Sequence, residues 1–346
     1  MTKHDDRPPS TTIVAELSAN HRHDLALALE TVEAMAAAGA DAIKFQTYTP
    51  DALTLDLHDG HFAAIASGPW SGRRPYELYT EGSLPYAWHE ALFARVREFG
   101  LMPFSTPFDE RGLALLESLD CRTYKIASLE IAHVPLLEAV AATGKPIVLS
   151  TGAASLGDVE LALEVIGRER RDVTLLKCTT AYPTPMEEVN LRSMTSLAEA
   201  FGLPVGLSDH TLGSSVAVAA VALGAVMIEK HVTLDRAAGG IDASFSMEPG
   251  EFRDMVDAIR AVEAALGSAR YELSPSSASA RERGRSIFVA EYVRTGEPFT
   301  ERNLRVVRPG AGLHPRHFRE VQAARASCDL VPGTPLRWEH VDDGGA

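Results

Sequence analysis

Short apolar runs alternate with longer amphipathic stretches through roughly the first three quarters of the chain, and this alternation predicts strand and helix in turn. Eight runs read as strands: 11–17, 41–47, 101–106, 122–128, 145–151, 173–179, 203–209 and 225–232. Several are nearly continuous apolar runs, the pattern of parallel strands covered on both faces. Between them the apolar spacing turns helical. In DLALALETVEAMAAAG, Leu25, Leu29, Val32 and Met35 share a face and Gly39 supplies a stop. Further helices are expected to begin near Tyr86, Asp109, Val134, Ser155, Ser193, Gly213 and Pro249. Eight strands, each followed by a helix, is the count of an α/β fold of the (β/α)8 TIM-barrel type. A doubly wound open sheet is the competing fold, but no glycine-rich phosphate turn follows the first strand.

The pattern breaks in three places. From Tyr48 to Pro85 no convincing helix is read, yet the stretch carries Trp70, Tyr76 and Tyr79. A connection longer than about 15 residues in a compact domain is usually functional or disordered, and its aromatics favour a lid or an interface element. Near Leu266 the barrel pattern ends, and SPSSASARERGR (274–285) reads as a Ser-rich, charged linker. Beyond it RSIFVAEYV, GEPFT, LRVVRPGAGLHP and DLVPGTPLRW read as short strands cut by Gly and Pro, a small β-rich domain. The expected division is a disordered tail at 1–10, a barrel at 11–267, a linker at 268–284 and a closing domain at 285–346.

Composition narrows the function classes. The chain has 346 residues, 45% of them hydrophobic, which argues for folded structure over most of its length. Its formal charge of −14 disfavours binding to nucleic acid or to anionic membrane, and no apolar stretch approaches a membrane span. Cys121, Cys178 and Cys328 are far apart, which fits neither a disulfide framework nor a thiolate zinc site. A soluble, cytoplasmic protein is expected, since the first residues also lack the apolar core of a signal peptide.

Barrel enzymes build their sites at the C-terminal ends of the strands, so the polar residues there are the test. In chain order they are Glu16, Asn20 and His21; Lys44 and Gln46; Ser105 and Thr106; Lys125, Ser128 and Glu130; Ser150 and Thr151; Lys177, Thr179 and Thr180; Ser208, Asp209 and His210; Glu229, Lys230 and His231. Such residues are costly inside a barrel unless paired. His210 and His231 end successive strands, so they are neighbours on the rim and suit a shared divalent cation with positions left open for water or substrate. The other reading is two hydrogen-bonded rim histidines. His21, His23, His58, His61 and His89 fall in loops or helix starts and are expected to be mostly solvated. Lys44 and Lys125, with the hydroxyls of Thr106, Ser128, Ser150 and Ser208, make an anion cradle for phosphate and carboxylate. Glu16 beside them suits proton transfer or binding of a hydroxyl. These residues alone permit an aldol-type condensation, an isomerase or a phosphoryl-transfer enzyme.

Longer motifs add a resemblance. AELSANH, GADAIKFQTY, PFSTPFD, YKIASLE, GKPIVLSTG, LLKCTTAYP, GLSDHTLG, IEKHVTLDR and RPGAGLHP occur in the order found in the sialic acid synthases, which condense phosphoenolpyruvate with an amino-sugar aldehyde. The tail resembles the antifreeze-like (SAF) domain of those enzymes. The resemblance implies Glu16 as catalytic carboxylate, and Lys44, Thr106, Lys125, Ser128, Ser150, Thr180 and Ser208 around phosphoenolpyruvate. It implies His210 and His231 as ligands of a divalent metal (Mn2+, Mg2+ or Co2+), and Gln46, Glu130, Tyr182 and Asp242 around the acceptor sugar. Arg308 falls on the arginine that the closing domain extends into the partner's site, implying a domain-swapped homodimer. GGIDASFSMEP, WSGRRPYELY and GTPLRW are more similar to pseudaminic acid synthases than to N-acetylneuraminate synthases. That implies 2,4-diacetamido-2,4,6-trideoxy-L-altrose as acceptor. N-acetylneuraminate or legionaminate synthesis is the alternative, and a non-catalytic binding protein on the same fold a remote one. Three positions depart from the family pattern. The usual NHNG reads Asn20-His21-Arg22-His23, Thr180 stands where Asn or Ser is common, and Ala153 replaces the methionine of STGM.

Overall fold

The computed structural model describes residues 10–268 and 271–342, in two compact units divided between Gly267 and Ser268. All but Ser10 of the expected N-terminal tail lies outside the described residues. In the first unit eight parallel strands close into a barrel in sequence order. They are β1 (Thr12–Glu16), β2 (Ala42–Thr47), β3 (Met102–Pro107), β4 (Tyr124–Ile126), β5 (Ile147–Ser150), β6 (Val173–Cys178), β7 (Val205–Asp209) and β8 (Met227–His231). The seam pairs Glu16 with His231 across β1 and β8, and Glu16 with Lys44 across β1 and β2. A (β/α)8 barrel is therefore the fold.

Helices cover the strands because their apolar faces have nowhere else to go. In α1 (Leu25–Ala37), Ala28, Val32 and Met35 are buried, and Asp24 caps the start by accepting from the N–H groups of Ala26 and Leu27. Between β2 and β3 lie a single turn, α2 (Pro50–Leu53), then α3 (Pro75–Gly82), then α4 (His89–Glu98). The 48–85 stretch thus contains a helix that the apolar spacing did not announce. It starts on Pro75, which suits a first helical turn, and buries only Leu78 and Gly82. The rest of the outer layer is α5 (Glu110–Ser118), α6 (Val134–Ala142), α7 (Leu156–Ile166), α8 (Arg192–Phe201), α9 (Ser215–Ala222) and α10 (Pro249–Leu266). Gly206 sits where the barrel interior is tightest: a Cβ there would come within 2.4 Å of the Met227 carbonyl oxygen.

The second unit opens with α11 (Pro275–Glu282), so the segment read as linker is a helix, capped by Ser274 and exposed along its whole length. The antiparallel pair β9 (Ser286–Val289) and β10 (Leu304–Val307) follows, then α12 (Phe318–Gln322) and the two-residue pair β11 (Arg325–Ala326) and β12 (Val341–Asp342). GEPFT and DLVPGTPLRW form no strand of their own and pair only through isolated bridges, Pro298 with Arg325, Leu330 with Val293 and Pro335 with Phe288. Ile287, Val289, Val293, Phe299, Leu304, Val321, Leu330 and Leu336 make its core.

Candidate active site

Side chains alternate along a strand, so each barrel strand sends every second residue inward. The inward residues at the C-terminal ends are Glu16, Lys44 with Gln46, Thr106, Lys125, Ser150, Cys178, Ser208 with His210, and Glu229 with His231, and all line one cavity of about 560 Å3. Thr180, Ser128, Glu130, Tyr182 and Asp242 reach it from the loops that follow the strands. Apart from Arg308, which is exposed in the second unit, every residue to which the family resemblance gives a role lines this cavity.

The outward positions were misread as part of the same ring. Lys230 donates to Asp209 Oδ2 at 2.9 Å and to the Thr211 carbonyl, and both partners of this pair are buried. Lys177 donates to Thr179 Oγ1, and Ser105 bonds Thr47 behind the sheet. Two histidines expected to be solvated are fully buried: His21, and His89, whose Nε2 lies 2.8 Å from Thr47 Oγ1.

The cavity floor is a charge network. Lys44 Nζ stands 3.0 Å from Glu16 Oε2 and 3.1 Å from Glu229 Oε1, and Lys125 Nζ is 3.7 Å from the same Glu229 oxygen. Gln46 Nε2 donates to Glu16 Oε1 at 2.8 Å, and Ser208 Oγ donates to Glu229 Oε1 at 2.8 Å. Burial works against the charged carboxyl of Glu16, but Lys44 and His231, with Gln46 and Lys125, outweigh it and hold Glu16 far below the usual carboxylate range. Burial is likewise outweighed at Glu229, by Lys125 and Lys44, and at Lys44, by Glu16 and Glu229. Lys125 is the exception: burial prevails and its ammonium is pushed down despite Glu229. Glu229 was seen at the strand end but given no role. It bridges both lysines, and its i, i+2 relation to His231 is the signal that places it inside.

Among the described residues, several groups in or beside this network find no partner. Thr106 Oγ1, Ser150 Oγ, Thr180 Oγ1 and Glu229 Oε2 are buried without a hydrogen bond. Unpaired buried hydroxyls cost stability unless something binds them, so they mark where a ligand's polar atoms go. Gly152 belongs to the same corner. Its N–H donates to Ser128 Oγ at 3.1 Å, and a Cβ there would lie 2.6 Å from Thr180 Oγ1, closing the gap between the hydroxyls. A phosphate fits this set of short donors with an undercompensated lysine.

The histidines face the other side. Their rings lie 5.2 Å apart, centroid to centroid, and Tyr182 packs 4.2 Å from His210. Nδ1 of His210 donates to the Thr179 carbonyl at 3.0 Å, which leaves Nε2 as the free ring nitrogen. Burial opposes charge on His210, but Cys178 and that carbonyl pull its pKa upward; burial dominates at His231 and pushes it down. His231 Nε2 lies 3.3 Å from Glu16 Oε2, and its Nδ1 is buried without a hydrogen bond. Among the described residues no group of three or more His, Cys, Asp or Glu is gathered for a metal ion. What the two histidines offer is a pair of uncommitted imidazole nitrogens, Nε2 of His210 and Nδ1 of His231.

The long β2–β3 connection supplies the roof. Leu53, Ile65, Trp70, Leu78, Tyr79 and Gly82 face the cavity, and the Trp70 ring packs at a tilt 5.6 Å from Tyr182 while its Nε1–H donates to the Ile241 carbonyl.

Known proteins resemble the chain as a whole. The chain is 43% identical to pseudaminic acid synthase of Helicobacter pylori, over 97% of this chain and 98% of that protein. It is 37% identical to N,N'-diacetyllegionaminic acid synthase of Legionella pneumophila, over 95% of this chain and 94% of that protein. The crystal structure of N-acetylneuraminic acid synthetase from Leptospira borgpetersenii, a citrate complex, superposes with a TM-score of 0.70 at 31% identity, covering 78% of this chain and 90% of that one. Residues 284–342 match the SAF domain, and residues 31–271 match the NeuB family, to which this chain belongs.

Proposed function

We propose that this protein condenses phosphoenolpyruvate with an N-acetylated amino-sugar aldehyde, giving a nine-carbon 2-keto sugar acid and phosphate. The observation that carries the reading is the single cavity in which a two-lysine floor with unpaired hydroxyls adjoins a pair of facing histidines. The full-length likeness to pseudaminic acid synthases favours 2,4-diacetamido-2,4,6-trideoxy-L-altrose as acceptor over N-acetylmannosamine or a legionaminate precursor.

Lys44 and Lys125, with Thr106, Ser128, Ser150, Thr180 and Ser208, hold the phosphate and carboxylate of phosphoenolpyruvate. Gln46, Glu130, Tyr182 and Asp242 hold the acceptor with its aldehyde toward the histidines. A divalent metal on His210 and His231 (Mn2+, Mg2+ or Co2+) supplies Lewis-acid polarisation of that aldehyde when bound. The C2=C3 electron pair of phosphoenolpyruvate forms the new C–C bond to the aldehyde carbon, the carbonyl π pair moves to the aldehyde oxygen, which takes a proton from solvent to become a hydroxyl, and C2 is left with positive character. Water adds at C2 and gives its proton to Glu16, which is ionised and faces the floor. Collapse breaks the C2–O bond to phosphate while the new C2 hydroxyl gives its proton to the departing phosphate, leaving the 2-keto group. Holding both partners in register supplies up to about 7–11 kcal/mol of the barrier reduction.

The matched SAF domain and the RPGAGLHP motif support a domain-swapped homodimer in which Arg308 of the partner subunit completes the site. Among the described residues no helix is long and apolar enough to cross a membrane, and we place the enzyme in the cytoplasm with its substrates. The test is phosphate release from phosphoenolpyruvate across a panel of 2-acetamido and 2,4-diacetamido sugars, with and without chelator. Release that requires an amino-sugar and stops on chelation is expected. Release without a sugar, or none with any sugar, sinks the proposal.

A further inference from the structure

The loop after β1 carries the Asn20-His21-Arg22-His23 departure, and none of these residues lines the cavity. Their side chains nevertheless tie together two separate walls of it. His21 Nε2 lies 3.2 Å from the Gly82 carbonyl and His23 Nε2 lies 3.1 Å from the Thr80 carbonyl, both at the C-terminal end of α3. Arg22 Nη1 donates to the Ala238 carbonyl at 3.1 Å, and Asn20 donates to the Val232 carbonyl while accepting from Asp242 N–H. These last three partners belong to the segment after β8 that carries Ile241 and Asp242 into the cavity.

The tautomer of His21 follows from its neighbours. The His23 N–H donates to His21 Nδ1 at 3.2 Å, so that nitrogen is unprotonated and Nε2 carries the hydrogen that Gly82 accepts. Trp88 holds both rings edge-on, at 6.0 Å from His21 and 6.4 Å from His23. The backbone makes the arrangement unusual. Arg22 and His23 have φ of 49° and 52°, left-handed values that residues with a Cβ disfavour. His23 stands where the family pattern has glycine, so the chain accepts strain that glycine avoids, and the imidazole bond to α3 is what it obtains.

Resting on the synthase reading above, we infer that His21, Arg22 and His23 are positioning residues: a brace that sets the acceptor end of the cavity by holding α3 against the segment after β8. Leu78, Tyr79 and Gly82 on α3 face Ile241 and Asp242 there, so loosening the brace widens the acceptor side and leaves the lysine floor untouched.

His23→Gly relieves the left-handed backbone and removes one bond to α3. The expected result is an acceptor KM raised about five- to tenfold, the loss of one hydrogen bond, with kcat and the KM for phosphoenolpyruvate within about twofold. Amide hydrogen exchange in 75–82 should speed up, with α10 unchanged. Arg22→Ala should raise the acceptor KM in the same way. An unchanged acceptor KM, or equal rises in both KM values, overturns the brace. If the unsubstituted enzyme turns over no acceptor, the synthase reading falls. The exchange measurement then still decides the brace: unchanged exchange in 75–82 overturns it, and faster exchange upholds it.

Discussion

On the outer face of β8, Lys230 gives its ammonium to Asp209 and to a carbonyl, while the other Asp209 oxygen takes the N–H and the hydroxyl of Thr211. On the inner face one residue away, Glu229 joins Lys44 and Lys125, and its second oxygen has no partner. Both sets are buried to the same degree. The outer set is closed, with the bonding capacity of its ions used within the protein. The inner set is open, short of partners at Glu229 and at three hydroxyls beside it. Burial of charge therefore does not identify a site. Unsatisfied groups gathered in one cavity do; Tyr86 Oη and Arg236 Nε also lack partners among the described residues, but each stands alone outside it.

One substitution at two positions separates the two cases most widely. Lys230→Met should cost about 3–5 kcal/mol of unfolding free energy, because Asp209 is left buried and unpaired. Denaturant unfolding checks it, and Lys230→Met with Asp209→Leu should recover most of the loss. Lys125→Met should change stability far less, since Glu229 keeps Lys44 and Ser208 as partners and burial already disfavours the charge on Lys125, while kcat/KM for phosphoenolpyruvate falls roughly 10²–10³-fold. A destabilised Lys125→Met protein would erase the contrast.

The smallest effect concerns another closed network, in which His89 bonds Thr47 and the Pro85 carbonyl. Burial pushes its imidazole down to about 4 from the ordinary 6.5. Between those values the unfolded chain takes up a proton that the folded chain refuses. Stability contributed by this residue is therefore full above pH 6.5 and declines as pH falls toward 4, by at most roughly 3 kcal/mol. His89→Gln should flatten that slope in unfolding curves taken between pH 7 and 4. Superimposable curves would show that His89 does not titrate as described.

Much of this was legible before any coordinates. The eight strands stood out because each is an apolar run bounded by polar turns, and the inward site residues because they end those runs. What strand-end position alone did not give was the parity of each strand. Glu229, Lys230 and His231 look equally polar, and only the two-residue alternation, fixed by the register of β8 against β1, sorts them. The helix α3 was missed because it is short, starts at a proline and turns few apolar residues inward. The roles of Arg22 and His23 depend on a backbone conformation that their identities argue against.

The pairing of Glu16 with His231 at the β1–β8 seam also bears on how the enzyme comes into being. These two residues stand at opposite ends of the barrel sequence and meet only when the last pair of strands zips. The carboxylate and the histidine are therefore brought together by ring closure itself, a non-local contact in a parallel barrel. A chain without the β1–β8 pairing would still hold Glu16 beside Lys44 across β1 and β2 but would lack its neighbour His231. Turnover thus certifies a completed barrel.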